Sequence, residues 1–375
     1  MTGRRVLQVL GSSAGGVARH VAQIAPALAD AGDRVVVAGP SALAEVVAPA
    51  GGPVRFAPVE IADRPHASDL RAVARLAGLA READAVHAHG LRAGALAVLA
   101  VRGAGAVGGA RAVGARGPHP RPRVVVTLHN LPVGGRAIRF VSAVLGRVVA
   151  RGSDVVLGVS GDLVALAASQ GARTAERALV PAPGRPAPTR TPAEVRAGLG
   201  VAADADLVVT VARLAPQKGL DTLVDAAVVA GGSRPGLVWL VAGDGPLHDD
   251  LAARVAATGA PVRLLGRRDD VADLMATADV VASAAVWEGQ PLGVQEALAL
   301  GAAVVATDAG GTREVTADAA VLVPVGDAGA LGATVADVLA DDPRRAALRA
   351  AARTRAAELP TLPDVLAQLT GHYTR

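Results

Sequence analysis

The stretch Leu207-Val208-Val209-Thr210-Val211-Ala212-Arg213-Leu214-Ala215-Pro216-Gln217-Lys218-Gly219 decides the fold. Five residues of high strand propensity run into a polar loop, and a helical pattern over 219–230 follows at once, which is one β-α unit of a parallel sheet. The alternation then repeats. Strands are expected over 237–242, 262–265, 280–282 and 303–307, with helices over 247–257, around 271–275, over 291–300 and over 328–339. Upstream the same rhythm gives strands over 4–10, 34–38, 85–88, 124–128 and 155–159, and a helix over 17–31 closed by Gly32. Between the two series lies Val180-Pro181-Ala182-Pro183-Gly184-Arg185-Pro186-Ala187-Pro188, stiff and poor in core residues, which reads as a linker. The expectation is an α/β protein of two doubly wound, Rossmann-like domains facing each other across a cleft, with ligands at the carboxyl ends of the strands. Its parts would be a first domain over 1–183, a linker over 184–195, a second domain over 196–355 and a terminal segment over 356–375 packing back on the first.

Composition agrees and excludes much else. With 375 residues, 51% hydrophobic and 19% charged, the chain can fill two cores and is not a disordered polymer. Absence of Cys removes disulfides, thiolate zinc sites and a Cys nucleophile. The apolar run Val6 to Leu10 is too short for a secretory leader and reads as a first strand, and no segment is long and apolar enough to span a bilayer, so a cytoplasmic location is expected. Charge is uneven. Residues 1–190 carry 23 Arg against 11 acidic residues, while 191–375 are net acidic. A basic first half suits an anionic partner. Nucleic acid is not expected, since that half holds only Phe56 and Phe140 as stacking aromatics, and an anionic membrane surface fits better. Of 38 basic residues Lys218 alone is Lys, and Asn130 is the one Asn, a bias expected of a GC-rich genome. A lone Lys where Arg serves everywhere else draws attention, because the two differ as phosphate ligands.

Three stretches can carry chemistry. Gly11-Ser12-Ser13-Ala14-Gly15-Gly16 joins the first strand to a helix, and it is either a phosphate cradle or a simple tight turn. It is not the dinucleotide fingerprint, for it lacks Gly-x-Gly and no acid ends the second strand. Arg213 and Lys218 put two cations on a loop leading to a helix N-terminus, which suits a diphosphate; a surface Lys paired with Asp221 explains Lys218 equally simply. In Trp287-Glu288-Gly289-Gln290-Pro291-Leu292-Gly293-Val294-Gln295-Glu296, Pro291 is a natural first helical residue, so the amides of Leu292 and Gly293 stay free. The carboxylates of Glu288 and Glu296 accept hydrogen bonds from hydroxyls, as a sugar would offer them.

At this point the residues resemble a family. The segment 211–325 is similar to the carboxyl-terminal domain of retaining glycosyltransferases of family four (GT-B fold): Arg213 and Lys218, Gly243-Asp244-Gly245-Pro246, two Glu separated by seven residues, then Gly301, Thr307, Gly310, Gly311 and Glu314 in order. The first half matches through Gly15-Gly16, His87-Ala88-His89-Gly90 and Thr127-Leu128-His129-Asn130. The resemblance implies transfer of a sugar from a UDP- or GDP-sugar to an acceptor hydroxyl, with anomeric retention. Arg213 and Lys218 would hold the diphosphate, Glu296 the ribose, and Glu288 with the backbone of Gly289, Gln290, Leu292 and Gly293 the donor sugar. Gly266 and Arg267 would lie at the base, Gly15 and Gly16 at the β-phosphate, and His129 near the transferred sugar, with His89 either beside it or structural. The catalytic set implied is Arg213, Lys218, Glu288 and His129. No metal or other cofactor is expected, since Asp249-Asp250, Asp269-Asp270 and Asp341-Asp342 read as caps or solvated faces. Two departures are that Pro181-Ala182-Pro183-Gly184 lacks the family's Asn, and that Gln290 stands where an apolar or aromatic residue is common. A nucleotide-sugar epimerase and a non-catalytic nucleotide-sugar-binding protein are the alternatives.

Residues 135–151 have helical period. Arg136, Arg139, Arg147 and Arg151 share one arc and Ile138, Val141, Val144, Leu145, Val148 and Val149 the next. Either the helix lies on an anionic bilayer, toward a lipid-linked or membrane-proximal acceptor, or its apolar arc packs in the core and its basic arc is solvated.

Overall fold

The computed structural model describes residues 3–12, 15–62, 64–106, 121–131, 135–181 and 187–374. Ser13 and Ala14 of the first glycine turn, residues 107–120, Pro132 after the His129 loop, and 182–186 of the Pro-rich stretch, including Pro183 and Gly184, lie outside them. The chain divides into two compact units, Met1–Pro181 with Pro360–Arg375, and Ala182–Leu359.

The first unit holds β1 (Arg5–Leu10), β2 (Arg34–Gly39), β3 (Arg55–Pro58), β4 (Ala85–His89), β5 (Arg123–Leu128), β6 (Val155–Gly158) and β7 (Ala175–Arg177). They form one sheet in the order β3-β2-β1-β4-β5-β6-β7, every pair parallel. The second unit holds β8 (Leu207–Val211), β9 (Val238–Ala242), β10 (Val262–Gly266), β11 (Val280–Ser283), β12 (Val304–Thr307) and β13 (Ala320–Val323), in the order β10-β9-β8-β11-β12-β13 and again all parallel. Because helices cover both faces, strands such as β6 and β9 are continuous apolar runs, whereas β1 and β4 carry Gln8, His87 and His89. Alternate residues feed two cores: Val208, Trp239, Val241, Val280, Ala282 and Val305 on one face, Val209, Leu240, Ala242, Val281, Val304 and Ala306 on the other. Trp239 is wholly buried, which its indole N–H tolerates by donating to Thr210 Oγ1 at 3.0 Å.

Each sheet reverses its order once, between β1 and β4 and between β8 and β11. At such a switch point the connections leave in opposite directions, and the carboxyl ends of the two strands open a crevice.

Of the expected linker over 184–195, residues 187–195 are described. Arg190 binds Asp270 and Asp273, Thr189 donates to Asp273 at 3.0 Å, and Thr191 with Glu194 makes a capping box on the helix Pro192–Gly198. These contacts fasten residues 189–198 to the second unit. At the other end, the helix Asp342–Glu358 runs past the expected boundary at 356, and the chain changes units at Pro360. The helix Leu362–Tyr373 is tied to β7 by Gln368, which donates to the Arg177 carbonyl and accepts from the Leu179 amide, both at 2.8 Å. No described helix is long and apolar enough to cross a membrane.

Candidate active site

In the second unit the loops after β8 and β11 meet. Lys218 Nζ donates to Glu288 Oε1, and both side chains are mostly covered, at 24% and 16% exposure. Three backbone contacts hold them there. The Val286 amide donates to the Gln217 carbonyl at 2.9 Å, the Gly311 amide to the Glu288 carbonyl at 2.8 Å, and Gly219 is so close to β11 that a Cβ on it would lie 2.0 Å from the Ala284 carbonyl oxygen. Gly219 has φ +60°, the left-handed region open to glycine. The surface pairing of Lys218 with Asp221 is not what forms: Asp221 faces Arg254 at 3.7 Å.

Around the pair, Thr210, Val211, Ala212, Pro291, Gly293 and Val294 line a cavity of about 40 Å³. Pro291 stands one residue before the helix instead of opening it, and Leu292 is the first helical residue. The consequence for the amides is unchanged, since the first intrahelical bond runs from the Gln295 amide to the Pro291 carbonyl and leaves those of Leu292, Gly293 and Val294 without one. Gly289 is buried, Gln290, Leu292, Gly293 and Glu296 are half-buried.

Arg213 is exposed on the same loop as Lys218. The Gly-Asp-Gly-Pro turn after β9 fixes that loop: the Leu214 amide donates to the Asp244 carbonyl at 2.9 Å and the Leu247 amide to the Leu214 carbonyl at 3.1 Å. A Cβ on Gly243 would fall 1.8 Å from the Ala212 carbonyl oxygen, so only glycine allows this approach. The Gly243 amide in turn donates to Gly266 at 2.8 Å, which places Gly266 and the exposed Arg267 at the end of β10 beside the turn. Of the remaining motif residues, Thr307 donates to the Ala285 carbonyl at 2.6 Å, Gly310 lets a backbone pass at Glu288, and Glu314 lies exposed with its carbonyl on Arg355.

The first unit has its own cluster at the ends of β1, β4 and β5. Gly15, φ +107°, and Gly16 are exposed at the start of the helix Gly16–Asp30, with open space where a Cβ would stand. His129 follows β5 and approaches His89 of β4, Nε2 to Nδ1 at 3.2 Å, and Asn130 is exposed beyond it. His20, His87, Gln8 and Tyr373 complete the group, all buried like His89, while His129 is half-buried. Sequence reasoning missed Gln8 and His20, on the first strand and the first helix, and Tyr373, from the far end of the chain.

Burial lowers the His20 ring to about 4. Burial, then the neighbouring His20 and His372, lowers His87 to about 3, and burial first of all drives His89 and His129 well below the usual range. These rings are therefore neutral in the folded unit. In the unfolded chain they protonate near 6.5, so below that pH the unfolded state binds more protons and stability falls as pH drops from about 6.5 towards 4. Each ring contributes up to about 1.4 kcal/mol per pH unit over the interval. The melting temperature is expected to be level above about pH 7 and to drop steeply by about pH 5; an unchanged melting temperature there would contradict neutral burial.

The helix Arg136–Gly152 divides lengthwise. From Ser142 onward it gains cover and Val149 and Ala150 are buried, but residues 136–141 are exposed all round. Ile138, Phe140, Val141 and Val144 are 49%, 71%, 38% and 44% exposed, among the exposed Arg136, Arg139, Arg147 and Arg151. Core packing of the whole apolar arc is thus excluded.

Two parallel α/β units, each with a switch point carrying glycine turns and, in one of them, a Lys–Glu pair, define the class as GT-B. Residues 15–183 match the family model described as a glycosyl transferase 4-like domain and residues 193–355 that of the glycosyl transferases group 1. The chain belongs to the group 1 glycosyl transferases. It is 32% identical over 178 residues to a GDP-mannose-dependent monoacylated alpha-(1-6)-phosphatidylinositol monomannoside mannosyltransferase of Corynebacterium glutamicum, covering 45% of this chain and 47% of that protein. It is 35% identical over 211 residues to a D-inositol 3-phosphate glycosyltransferase of Mycolicibacterium vanbaalenii, covering 51% and 46%. The chain spans about half the length of the curated relatives it matches. Among solved structures, Anabaena HepE in complex with UDP-glucose superposes with a TM-score of 0.78 at 22% identity over 98% of both chains. WaaG, of lipopolysaccharide biosynthesis, gives 0.71 at 18% over 98% of this chain and 99% of that one. At such identity these two speak for the fold.

Proposed function

We propose that this protein is a retaining glycosyltransferase that moves a sugar from a UDP- or GDP-sugar to the hydroxyl of a lipid-linked or membrane-proximal acceptor. The observation that carries the proposal is the Lys218–Glu288 pair at the β8/β11 switch point, beside the unbonded amides of the helix Leu292–Ala299. A diphosphate takes the ammonium of Lys218 and the guanidinium of Arg213, and a sugar hydroxyl donates to the Glu288 carboxylate that Lys218 gives up. Glu296 takes the ribose hydroxyls. As the bond from the anomeric carbon to the diphosphate breaks, the two cations neutralise the leaving oxygen without a metal ion, and the acceptor oxygen enters on the same face while its proton passes to that phosphate. His129 accompanies the transferred sugar, and Gly15 and Gly16 the β-phosphate. HepE has been captured with UDP and with UDP-glucose, while the Corynebacterium relative is named for GDP-mannose, so both bases deserve trial. A melting panel with UDP, GDP, ADP and their sugars tests this: one donor series should raise the melting temperature by mass action, and that donor should then yield transfer or slow hydrolysis. Epimerised sugar would favour the epimerase, and binding without any turnover a non-catalytic role.

The acceptor side is supported by the uncovered first turns of the helix Arg136–Gly152, and by a relative whose name includes a phosphatidylinositol monomannoside. The apolar residues there would enter the headgroup boundary while the arginines meet lipid phosphates, placing the enzyme peripherally on the inner face of the cell membrane. Sedimentation with anionic vesicles at low salt should be strong for the protein and weak for Phe140→Asp, and weak for both with neutral vesicles. Failure of the protein itself to sediment would remove the membrane from the proposal.

A further inference from the structure

The histidine cluster of the first unit is a single directional chain of hydrogen bonds. Gln8 Nε2 donates to the Tyr373 hydroxyl at 3.1 Å, and that hydroxyl lies 2.7 Å from His87 Nδ1. An oxygen that already accepts from Gln8 has its proton to give, so His87 Nδ1 accepts, and the ring, neutral by burial, carries its proton on Nε2, 2.7 Å from Thr127 Oγ1. At the other end of the same carboxamide, Gln8 Oε1 lies 2.7 Å from His89 Nε2. A carbonyl oxygen can only accept, so His89 bears its proton on Nε2 and presents a bare Nδ1. His129 Nε2, 3.2 Å away, must be the donor to it. Burial keeps His89 and His129 neutral, so the second nitrogen of His129 has no proton. His20 packs edge-on against both rings, with centroids 5.7 Å and 5.6 Å away, and limits their rotation.

We infer that Gln8, His89 and Tyr373 are positioning residues that fix His129 as the Nε2–H tautomer, leaving its Nδ1 lone pair as an acceptor for a hydroxyl of the transferred sugar. The inference rests on the proposed place of His129 beside that sugar. It adds residues from β1, β4 and the C-terminal helix Leu362–Tyr373 that touch no substrate. The Gln8 carboxamide is the pivot: turning it over would reverse every bond in the chain and move the His129 proton to Nδ1, presenting a donor where the sugar hydroxyl meets an acceptor.

Long-range proton–nitrogen correlation spectra of the full-length protein with ¹⁵N-labelled histidine decide the matter at neutral pH, with His129 assigned by the loss of its signals in His129→Phe. The expected spectrum shows His129, His89 and His87 each protonated on Nε2. Gln8→Glu keeps an acceptor on His89 and should leave the His129 pattern in place, whereas Gln8→Leu should give a mixture of His129 tautomers. With the donor found by the melting panel, Gln8→Leu should lower kcat about ten- to a hundred-fold with little change in donor KM, as loss of an orienting partner does elsewhere, and Gln8→Glu should restore most of it. A His129 proton on Nδ1 in the unaltered protein would overturn the inference without any variant having to fold, as would an unchanged His129 tautomer in Gln8→Leu. The spectra do not depend on turnover. The expected tautomers with no sugar transfer from any donor would leave the network standing and sink the functional reading instead.

Discussion

Lys218→Ala should lower the rate of sugar transfer at saturating donor by roughly 10²–10³-fold, the usual loss when one preorganised charge is removed from a leaving group. In the structure Lys218 is half-buried and held against Glu288 by two loops joined through Val286 and Gln217, with Gly311 from a third loop on the Glu288 carbonyl, so its ammonium is placed before a donor arrives. No other lysine can replace it, and Arg213 lies exposed five residues earlier, at the far end of the same loop. The substitution also removes a cation from the diphosphate, so donor binding weakens as well. Lys218→Arg separates charge from shape: the guanidinium keeps the charge but is broader and planar, and beside Glu288 it should recover only part of the rate. Initial rates with the preferred donor, together with melting curves showing that the variants fold, provide the measurement. Near-normal turnover in Lys218→Ala would take Lys218 out of the mechanism.

Much of this was legible in the sequence, and the reasons are physical. Central strands of a parallel sheet are covered on both faces, so Leu207–Val211 and Val280–Ser283 read as apolar runs broken only by Thr210 and Ser283, between helical patterns. The short edge strands of the first unit lack that signal. Arg55–Pro58 and Ala175–Arg177 are three or four residues long and carry exposed charge or proline, and the alternation passes over them. Glu288 with Glu296, and Arg213 with Lys218, were visible because the members of each pair lie close together in the sequence. The contact of Lys218 with Glu288 was not, because it depends on the switch in strand order that makes β8 and β11 neighbours. Tyr373 was further out of reach. It meets Gln8 across 365 positions of sequence, and no local pattern announces that partnership. Periodicity likewise gave the helix Arg136–Gly152 its two arcs but could not tell which length of it is covered.

The same loop junction makes Gly219→Ala a severely damaging small substitution. Gly219 has φ +60°, a region that costs an L-residue about 1–2 kcal/mol. Gly259 has nearly the same φ, +63°, at the end of the helix His248–Thr258, and no atom lies within 4 Å of where its Cβ would stand. Gly259→Ala therefore measures the backbone cost alone, about 1 kcal/mol, and should leave turnover untouched. Gly219→Ala bears that cost and in addition drives a methyl group to 2.0 Å from the Ala284 carbonyl, an overlap that backbone must move to relieve. A total on the order of 3 kcal/mol lowers the melting temperature by roughly 6–12 °C in a unit of this size. Relief can come only by parting the loops after β8 and β11, which separates Lys218 from Glu288, so the molecules that still fold should have lost most of their transfer activity. If the two alanine variants melted alike and transferred sugar alike, the close approach of Gly219 to β11 would not be what holds the pair in place.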